Sequence, residues 1–194
     1  MKRQHNRKWL YRTLAVFVLL IMVAVSLALW KGFISLEWLA SFGYKGIFLL
    51  SLANAVAPFA GPSQVATFLV AGKLNPLLVG LTGGLGGALG ELSSYVFGYS
   101  FQASLSEKSE HKLDHFKNWR FVRISREHSF LTLFLLAGIP NPFFDPVSAV
   151  AGSLRIPVIK YFIPILLGRT LRHVVIAYAG YYTLTQQLVL FPKR

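Results

Sequence analysis

Two stretches of this sequence share an unusual layout, in which prolines interrupt an apolar segment and a second apolar segment follows. The interruptions lie at residues 57–63 and 139–146, and a shift of 80 positions aligns Pro62 with Pro142. Such paired, proline-interrupted hydrophobic segments are typical of membrane transporters built from inverted repeats. Chance similarity is the alternative, because Ala, Val, Leu and Gly align easily between apolar segments. The matched prolines and the matched order of the parts favour a repeat.

The composition indicates an integral membrane protein. Of the 194 residues, 54% are hydrophobic and only seven are acidic, and the mean hydropathy is +0.52. Five apolar stretches approach or exceed the length of about 20 residues that crosses a membrane as a helix. The sequence contains no cysteine, which excludes disulfides, thiolate catalysis and cysteine-bound metals.

The net charge of +13 indicates lipid rather than nucleic acid as the counter-charge. The basic residues flank apolar segments instead of forming one solvated face, and basic residues beside a membrane attract anionic headgroups. The expected partners are therefore membrane lipids, including anionic ones, and no nucleic acid. A homo-oligomer is compatible with this pattern.

The pattern divides the chain into five parts. A basic tail is followed by an N-terminal transmembrane helix, a first repeat, a basic amphipathic loop and a second repeat. The predicted ranges, in that order, are 1–12, 13–31, 45–101, 102–128 and 129–185.

The first apolar segment has two interpretations. A basic stretch followed by an apolar run, here from Thr13 to Trp30, also describes a signal peptide. However, the run is longer than the usual core of a signal peptide, and it ends in Trp30-Lys31, a pair typical of a membrane interface. We therefore expect a retained first helix.

The apolar arms around each proline turn are too short to cross a bilayer. In the first copy they are residues 46–57 and 64–71. Two short arms around a turn predict a re-entrant helical hairpin, whose unpaired backbone must be buried in protein or face water. A full-length apolar helix follows each hairpin. The predicted fold is therefore all-α, with an N-terminal transmembrane helix and two inverted repeats, each a re-entrant hairpin followed by a transmembrane helix.

The basic residues also predict the orientation. The N-terminal tail and the loop 102–128 each carry at least five Lys or Arg residues, so both are expected in the cytoplasm. We expect a multi-pass protein of the cell membrane. One full crossing separates the two hairpins, and this inverts the second repeat relative to the first.

Charged residues inside apolar segments form the candidate site, because each costs about 2.5–3.5 kcal/mol at mid-membrane unless it is paired or hydrated. They are Glu91, Asp145, Arg169 and Arg172, which we assign to a substrate or ion pathway. A Glu91–Arg172 or an Asp145–Arg169 ion pair is expected. The alternative is that these charges only stabilise the helix bundle or extend to the interface. The residues that shape the hairpin tips are Pro58, Pro62, Gln64, Pro140, Asn141 and Pro142.

The sequence contains no recognisable catalytic set. Ser63 and Ser148 have no identifiable His or Asp partners, and the Gly-x-Ser-x-Gly and His-Glu-x-x-His motifs are absent. An intramembrane hydrolase that uses Asp145 would lack a second aspartate. His111 and His115 are four positions apart but lack further convergent ligands. We therefore expect no enzyme, no cofactor and no metal.

Two segments of the sequence carry a family resemblance. The segment Gly86–Gly98 resembles the Gly-x-x-x-Gly-Asp/Glu-x-x-x-Tyr-x-x-Gly motif of the DedA family, also called the VTT or SNARE-associated membrane protein family. The segment 139–152 resembles the second hairpin of that family, and the resemblance covers about residues 40–185. It implies two opposed re-entrant hairpins, each followed by a membrane helix, and a role in moving lipids between leaflets. Of the family's charged functional positions, this chain retains Glu91.

The sequence departs from the family at both hairpins. The resemblance implies an acid near the prolines of the first hairpin, where this chain has Gly-Pro-Ser-Gln at 61–64. It implies arginines in the second hairpin, where this chain has Ala137 and Phe143, and Asp145 is this chain's own addition. The positive charge for a phosphate group is then expected from Arg155, Arg169 or Arg172.

The repeat pattern and the resemblance together predict a transporter that passes a lipid headgroup through a groove at the membrane midplane. A proton-coupled transporter of a small molecule or an ion is the first alternative. A non-transporting membrane assembly factor that acts through the basic loop is the second.

Overall fold

The computed structural model of the protein describes residues 2–31, 41–56, 62–104, 129–139 and 147–190. These residues form seven α-helices and contain no β-strand, which confirms the predicted all-α class. The helices are α1 Lys2–Trp30, α2 Tyr44–Val56, α3 Pro62–Ala71, α4 Pro76–Ser104, α5 Ser129–Gly138, α6 Val147–Ser153 and α7 Val158–Leu190.

Most of the predicted tip residues fall outside the described ranges. The helices α2 and α3 lie on either side of the first proline turn, and α5 and α6 lie on either side of the second. Most of the basic loop also lies outside the described residues, so its amphipathic character stays a prediction. The tip and pathway residues outside the described ranges are Pro58, Pro140, Asn141, Pro142 and Asp145.

The start of α4 follows from two residues with strong local preferences. The side-chain oxygen of Asn75 accepts hydrogen bonds from the backbone N–H groups of Leu77 at 3.0 Å and Leu78 at 3.3 Å. Asn75 therefore caps the helix, and Pro76 occupies the first helical position, where a proline loses no hydrogen bond. The sequence at 75–76 thus separates α4 from the short helix α3.

The turn between α6 and α7 contains an arginine whose backbone is in the left-handed conformation. Arg155 has a φ of 55°, and its N–H donates to the carbonyl of Gly152 at 2.9 Å, while the N–H of Ile156 donates to the carbonyl of Ala151 at 3.1 Å. This pair of bonds is the Schellman motif, in which glycine usually occupies the left-handed position. A non-glycine residue there costs about 1 kcal/mol, and the turn directs the chain into α7.

The two long helices, α4 and α7, pack directly against each other. Small residues allow the approach, since a Cβ at Gly84 would collide with the backbone of Thr170. Each long helix also receives the helix that precedes its proline turn. A Cβ at Gly90 would collide with α2 at Leu52, and a Cβ at Gly168 would lie 2.5 Å from the carbonyl oxygen of Phe134 on α5.

The helices that follow the proline turns pack crosswise. The helix α3 packs against α7, where Gly180 faces the carbonyl oxygen of Phe68, and α6 packs against α4, where Gly98 faces the carbonyl oxygen of Ala149. Each long helix therefore contacts α2 or α5 from its own half of the chain, and α6 or α3 from the other half.

The outer faces of the long helices are apolar. Exposed large side chains recur every four residues, which places them in stripes along one side of each helix. Stripes of this length would be unfavourable in water and are favourable against lipid chains. The residues of these stripes are Leu77, Leu81, Leu85 and Leu89 on α4, and Ile163, Leu167, Leu171 and Val175 on α7.

Among the described residues, one helical segment is both long and apolar enough to cross a membrane. It is Val158–Thr185 within α7, with a mean hydropathy of 1.3. The helix α4 has 29 residues, but its many glycines are less hydrophobic than the leucines around them. The segments Trp9–Ile21 and Tyr44–Val56 are apolar and shorter. The number of crossings inferred from the sequence stays a prediction.

The Tyr95→Phe substitution should destabilise the protein moderately. The Tyr95 hydroxyl donates to the backbone carbonyl of Ile156 at 2.5 Å in a buried site, and the Tyr95 ring stacks on Tyr161 with centroids 4.6 Å apart. The variant keeps the stack but leaves a buried carbonyl without this donor. We expect the free energy of unfolding in detergent to fall by about 1–3 kcal/mol. Tyr182→Phe, at an exposed position, is the matched control, and equal stability of both variants would contradict the expectation.

Candidate functional site

Four polar residues of the long helices are buried together at the interface of α4 and α7. They are Glu91 on α4, with 3% of its surface exposed, and Arg169, Arg172 and His173 on α7, with 6%, 4% and 0% exposed. Burial of charged residues between helices with apolar outer faces is the arrangement that marks functional sites in membrane proteins. We refer to these four residues as the charged cluster.

The Glu91 carboxylate, on α4, contacts two other helices, α7 and α6. Its Oε1 forms an ion pair with Nη2 of Arg169 on α7, and its Oε2 accepts a hydrogen bond of 2.9 Å from the hydroxyl of Ser148 on α6. The Tyr161 hydroxyl donates to the backbone carbonyl of Glu91 at 3.3 Å. Glu91 therefore joins the two long helices to the helix that follows the second proline turn.

Arg172 links the cluster to the start of the second proline turn. Its Nη1 donates to the backbone carbonyl of Ile139 at 3.1 Å. Ile139 follows α5 directly and is the last described residue before that turn. A movement of the turn would therefore displace the carbonyl group to which Arg172 donates.

His173 links the cluster to the first proline turn. Its Nδ1 lies 3.1 Å from the hydroxyl oxygen of Thr67 on α3, and the same hydroxyl donates to the carbonyl of Ser63 at 2.8 Å. The N–H of Ser63 in turn donates to the side-chain oxygen of Asn54 on α2 at 3.4 Å. A chain of polar contacts thus runs from α7 through α3 to α2.

The charged cluster has the character of an anion site. One carboxylate, Glu91, and two guanidinium groups, those of Arg169 and Arg172, are buried in it, and guanidinium groups bind phosphate oxygens through paired hydrogen bonds. Among the described residues no group of three or more His, Cys, Asp or Glu side chains could hold a metal ion. His111 and His115 lie outside those residues. The described side chains therefore suit a phosphate better than a cation.

The structure brings together three of the four predicted pathway residues. The sequence predicted that Glu91 pairs with Arg172, or Asp145 with Arg169. The observed ion pair joins Glu91 to Arg169. Arg172 lies in the same cluster, while Asp145 lies outside the described residues. Of the predicted tip residues, Pro62 is the first residue of α3, and Gln64 is half-buried on that helix.

Sequence reasoning missed the neutral polar residues of the site. The sequence indicates Ser148 only as a possible nucleophile and assigns no role in the site to Thr67 or Tyr161. One signal was present, because each is a hydroxyl-bearing residue in an apolar segment. A hydroxyl can satisfy its donor on its own helix, however, as Thr67 does, and this weakens the signal.

The chain is similar to known proteins over part of its length. The sequence model of the VTT domain matches residues 61–182, more than half of the chain and a range that includes the whole charged cluster. The vacuole membrane protein KMS2 of Arabidopsis thaliana is 28% identical to this chain in an alignment of 101 positions that covers 45% of this chain. The match spans 24% of the length of that relative. No solved structure matches the chain.

Proposed function

The chain belongs to the VTT domain family, a family of membrane proteins, and we propose that it moves lipids between the two leaflets of a bilayer. In this proposal a headgroup passes through a groove at the membrane midplane while the lipid tails stay in the hydrocarbon. The protein acts without a catalytic step, and no cofactor takes part.

The observation that carries the proposal is the buried ion pair between Glu91 and Arg169, with Arg172 beside it, in a molecule with apolar outer faces. A charged headgroup crosses hydrocarbon slowly because its charge must leave water. Polar side chains inside the protein can replace that water along the path. The two arginines would contact the phosphate, and Glu91 would balance their charge when no lipid is present.

We also propose that the fold consists of two inverted repeats with re-entrant hairpins. The crosswise packing supports this, because α3 of the first half packs against α7 and α6 of the second half packs against α4. Neither α2 nor α3, with 13 and 10 residues, reaches the length of about 20 residues needed to cross. The same holds for α5 and α6, with 10 and 7 residues.

The proposed mechanism requires the charged cluster to open. In the described arrangement the cluster is almost completely buried, and in this mechanism a headgroup enters when α3 or α6 moves away from its long helix. Such a movement would break the Thr67–His173 or the Ser148–Glu91 hydrogen bond and admit water. Hydration compensates for the lost contacts, because buried charges carry a large desolvation penalty.

We place the protein in the cell membrane, with the N-terminal tail and the loop 102–128 in the cytoplasm. The basic residues of both segments support this orientation. The expected partners are membrane lipids, including anionic ones, and a homo-oligomer is compatible with the proposal.

Lipid exchange between leaflets tests the proposed function. Purified protein is reconstituted into vesicles with fluorescent lipids, and the fraction of lipid that a membrane-impermeant quencher can reach is followed over time. Glu91→Gln and Arg172→Gln should each slow the exchange at least tenfold, because each removes a charge from the path. Lys160→Gln is the control, since Lys160 lies on α7 like Arg172 but is exposed, and it should exchange lipid like the wild type.

The contrary results distinguish the alternatives. Absence of exchange for every lipid class tried would contradict lipid movement and favour a proton-coupled transporter of a soluble substrate, which an imposed proton gradient would reveal. Normal function of Glu91→Gln in cells, together with loss of function on neutralising Lys112, Lys117, Arg120 and Arg123 of the loop, would favour an assembly factor.

A further inference from the structure

A shallow apolar groove runs along α1 and ends at a basic residue. Its described lining residues are Arg12, Thr13, Val16, Phe17 and Leu20, and its volume is about 280 Å³. These positions recur with the spacing of one helix face, so the groove follows the helix axis. From Arg12 to Leu20 it extends for about 12 Å. The hydrocarbon of one leaflet is about 15 Å thick, so the groove matches most of the length of an acyl chain.

The groove is exposed, and its walls are apolar. Val16, Phe17 and Leu20 are 56%, 60% and 61% exposed. The hydroxyl of Thr13 donates to a carbonyl of its own helix at 2.9 Å, so its proton already has an acceptor. Ala15, in contrast, is buried, and α1 packs against α4. A continuous apolar face of this kind is unfavourable in water, and an acyl chain would cover it.

Arg12 is held at one end of the groove by a contact with α4. Its Nε and Nη2 both donate to the backbone carbonyl of Ser104, the last residue of α4, at 3.4 Å. A cation at the C-terminus of a helix is favoured by the helix dipole. A guanidinium group has five N–H donors, and this contact uses two of them. Because Arg12 is exposed, the same group can also bind phosphate oxygens, for which its geometry is well suited.

The neighbours of Arg12 indicate that it lies at the level of the lipid headgroups. Trp9 is 67% exposed, and the ring of Tyr11 lies against that of Tyr99 on α4, with centroids 6.2 Å apart. Trp and Tyr concentrate at the interface between membrane and water. Residues 1–12 contain five Lys or Arg and no acidic residue. Basic residues beside a membrane attract anionic lipid, so charge complementarity favours an anionic headgroup at Arg12.

We propose that the groove binds an anionic phospholipid of the cytoplasmic leaflet, with one acyl chain along Val16 and Leu20 and its phosphate at Arg12. The site is separate from the charged cluster, which lies on α4 and α7. It depends on the predicted membrane position of α1 and not on lipid transport, so the two proposals can fail independently. A zwitterionic lipid offers the same phosphate, but its cationic group is repelled by the basic tail.

An introduced cysteine locates the lipid. The chain contains no cysteine, so a small fluorophore can be attached to Leu20→Cys in the groove or to Leu19→Cys beside it. Both positions are exposed and lie at nearly the same depth, and Leu20 is a lining residue whereas Leu19 is not. The full-length protein is placed in phosphatidylcholine nanodiscs with a small fraction of lipid that carries a nitroxide quencher on its acyl chain. At Leu20→Cys, phosphatidylglycerol should quench about fivefold more effectively than phosphatidylcholine, and at Leu19→Cys the two should quench nearly equally.

Substitutions in the Leu20→Cys protein test the two parts of the site. Arg12→Gln should remove the preference for phosphatidylglycerol, because the phosphate loses its guanidinium partner. Lys31→Gln is the matched control, since Lys31 is an exposed basic residue at the other end of α1, and it should keep the preference. Val16→Trp fills the groove with a large ring and leaves Arg12 in place, and it should reduce quenching by both lipids.

Three results would overturn the proposal. The first is equal quenching by the two lipids at Leu20→Cys. The second is a preference that survives Arg12→Gln or is as large at Leu19→Cys, because anionic lipid would then gather around the basic tail without a site. The third is quenching at Leu19→Cys alone, which would mean that a second copy or the basic loop covers the groove. If the preference is found but no lipid is exchanged between leaflets, the site stands and the proposed function fails.

Discussion

Replacing Arg169 by methionine should lower the free energy of unfolding by about 3–5 kcal/mol, the range observed when one member of a buried ion pair is removed. The variant leaves the Glu91 carboxylate buried without its guanidinium partner, and the Ser148 hydroxyl alone cannot compensate for the charge. Glu91→Leu should be similarly destabilising, because Arg169 and Arg172 would then lie close together without a carboxylate between the helices. Unfolding of each variant in detergent measures these changes.

The double variant Glu91→Leu/Arg169→Met should recover most of the lost stability. A buried ion pair that is replaced as a whole by apolar side chains of similar volume is often neutral or stabilising. The coupling between the two substitutions, obtained from the double-mutant cycle, should therefore be large and favourable. Lipid exchange should be at least tenfold slower in the double variant than in the wild type, since its path would lack the ion pair.

Measuring both unfolding and lipid exchange on the same variants separates a structural role of the charges from a role in transport. If the double variant is as unstable as the single ones, the cluster depends on contacts other than the ion pair. If the double variant is stable and exchanges lipid at the wild-type rate, the ion pair is only structural and the proposed function is contradicted. The alternative noted from the sequence, that these charges only stabilise the bundle, would then be correct.

Physical rules that act locally made much of this fold predictable. Asn75-Pro76 is a strong start signal, and α4 begins at Pro76 and continues for 29 residues. The all-α class and the family were both confirmed. The family was predictable because Gly86–Gly98 combines closely spaced glycines with a carboxylate and a tyrosine. The start signal of α4 and the family segment are each contained within about 15 consecutive residues.

Contacts between distant segments were less predictable. The sequence showed that Glu91 needs a cationic partner. Arg169 and Arg172 lie nearly one helical turn apart, and the sequence alone does not distinguish which of them is that partner. The choice of Arg169 follows from how α4 and α7 cross at Gly84, which is a property of the assembled helices. The hydrogen bond from Ser148 depends in the same way on α6 packing against the opposite long helix.

The Gly98→Ala substitution should be among the most destabilising small changes in the chain. A Cβ at Gly98 would lie 2.7 Å from the carbonyl carbon of Ala149 and 2.9 Å from its Cα, and backbone atoms cannot move aside as side chains do. The helices α4 and α6 would have to separate along their contact. We expect the free energy of unfolding to fall by about 3 kcal/mol, the upper range for overpacking, although alanine alone favours a helix over glycine by about 1 kcal/mol.

The same change should also reach the charged cluster. Gly98 lies seven residues, or about two turns, after Glu91 on α4, and Ala149 is adjacent to Ser148 on α6. A displacement of α6 at Gly98 would therefore lengthen the bond between Ser148 and Glu91, and lipid exchange should be altered along with stability. Gly138→Ala, where the nearest atom to the new methyl group is 3.7 Å away, should change neither property. If Gly98→Ala is as stable as this control, α6 does not pack against α4 in the way on which the charged cluster depends.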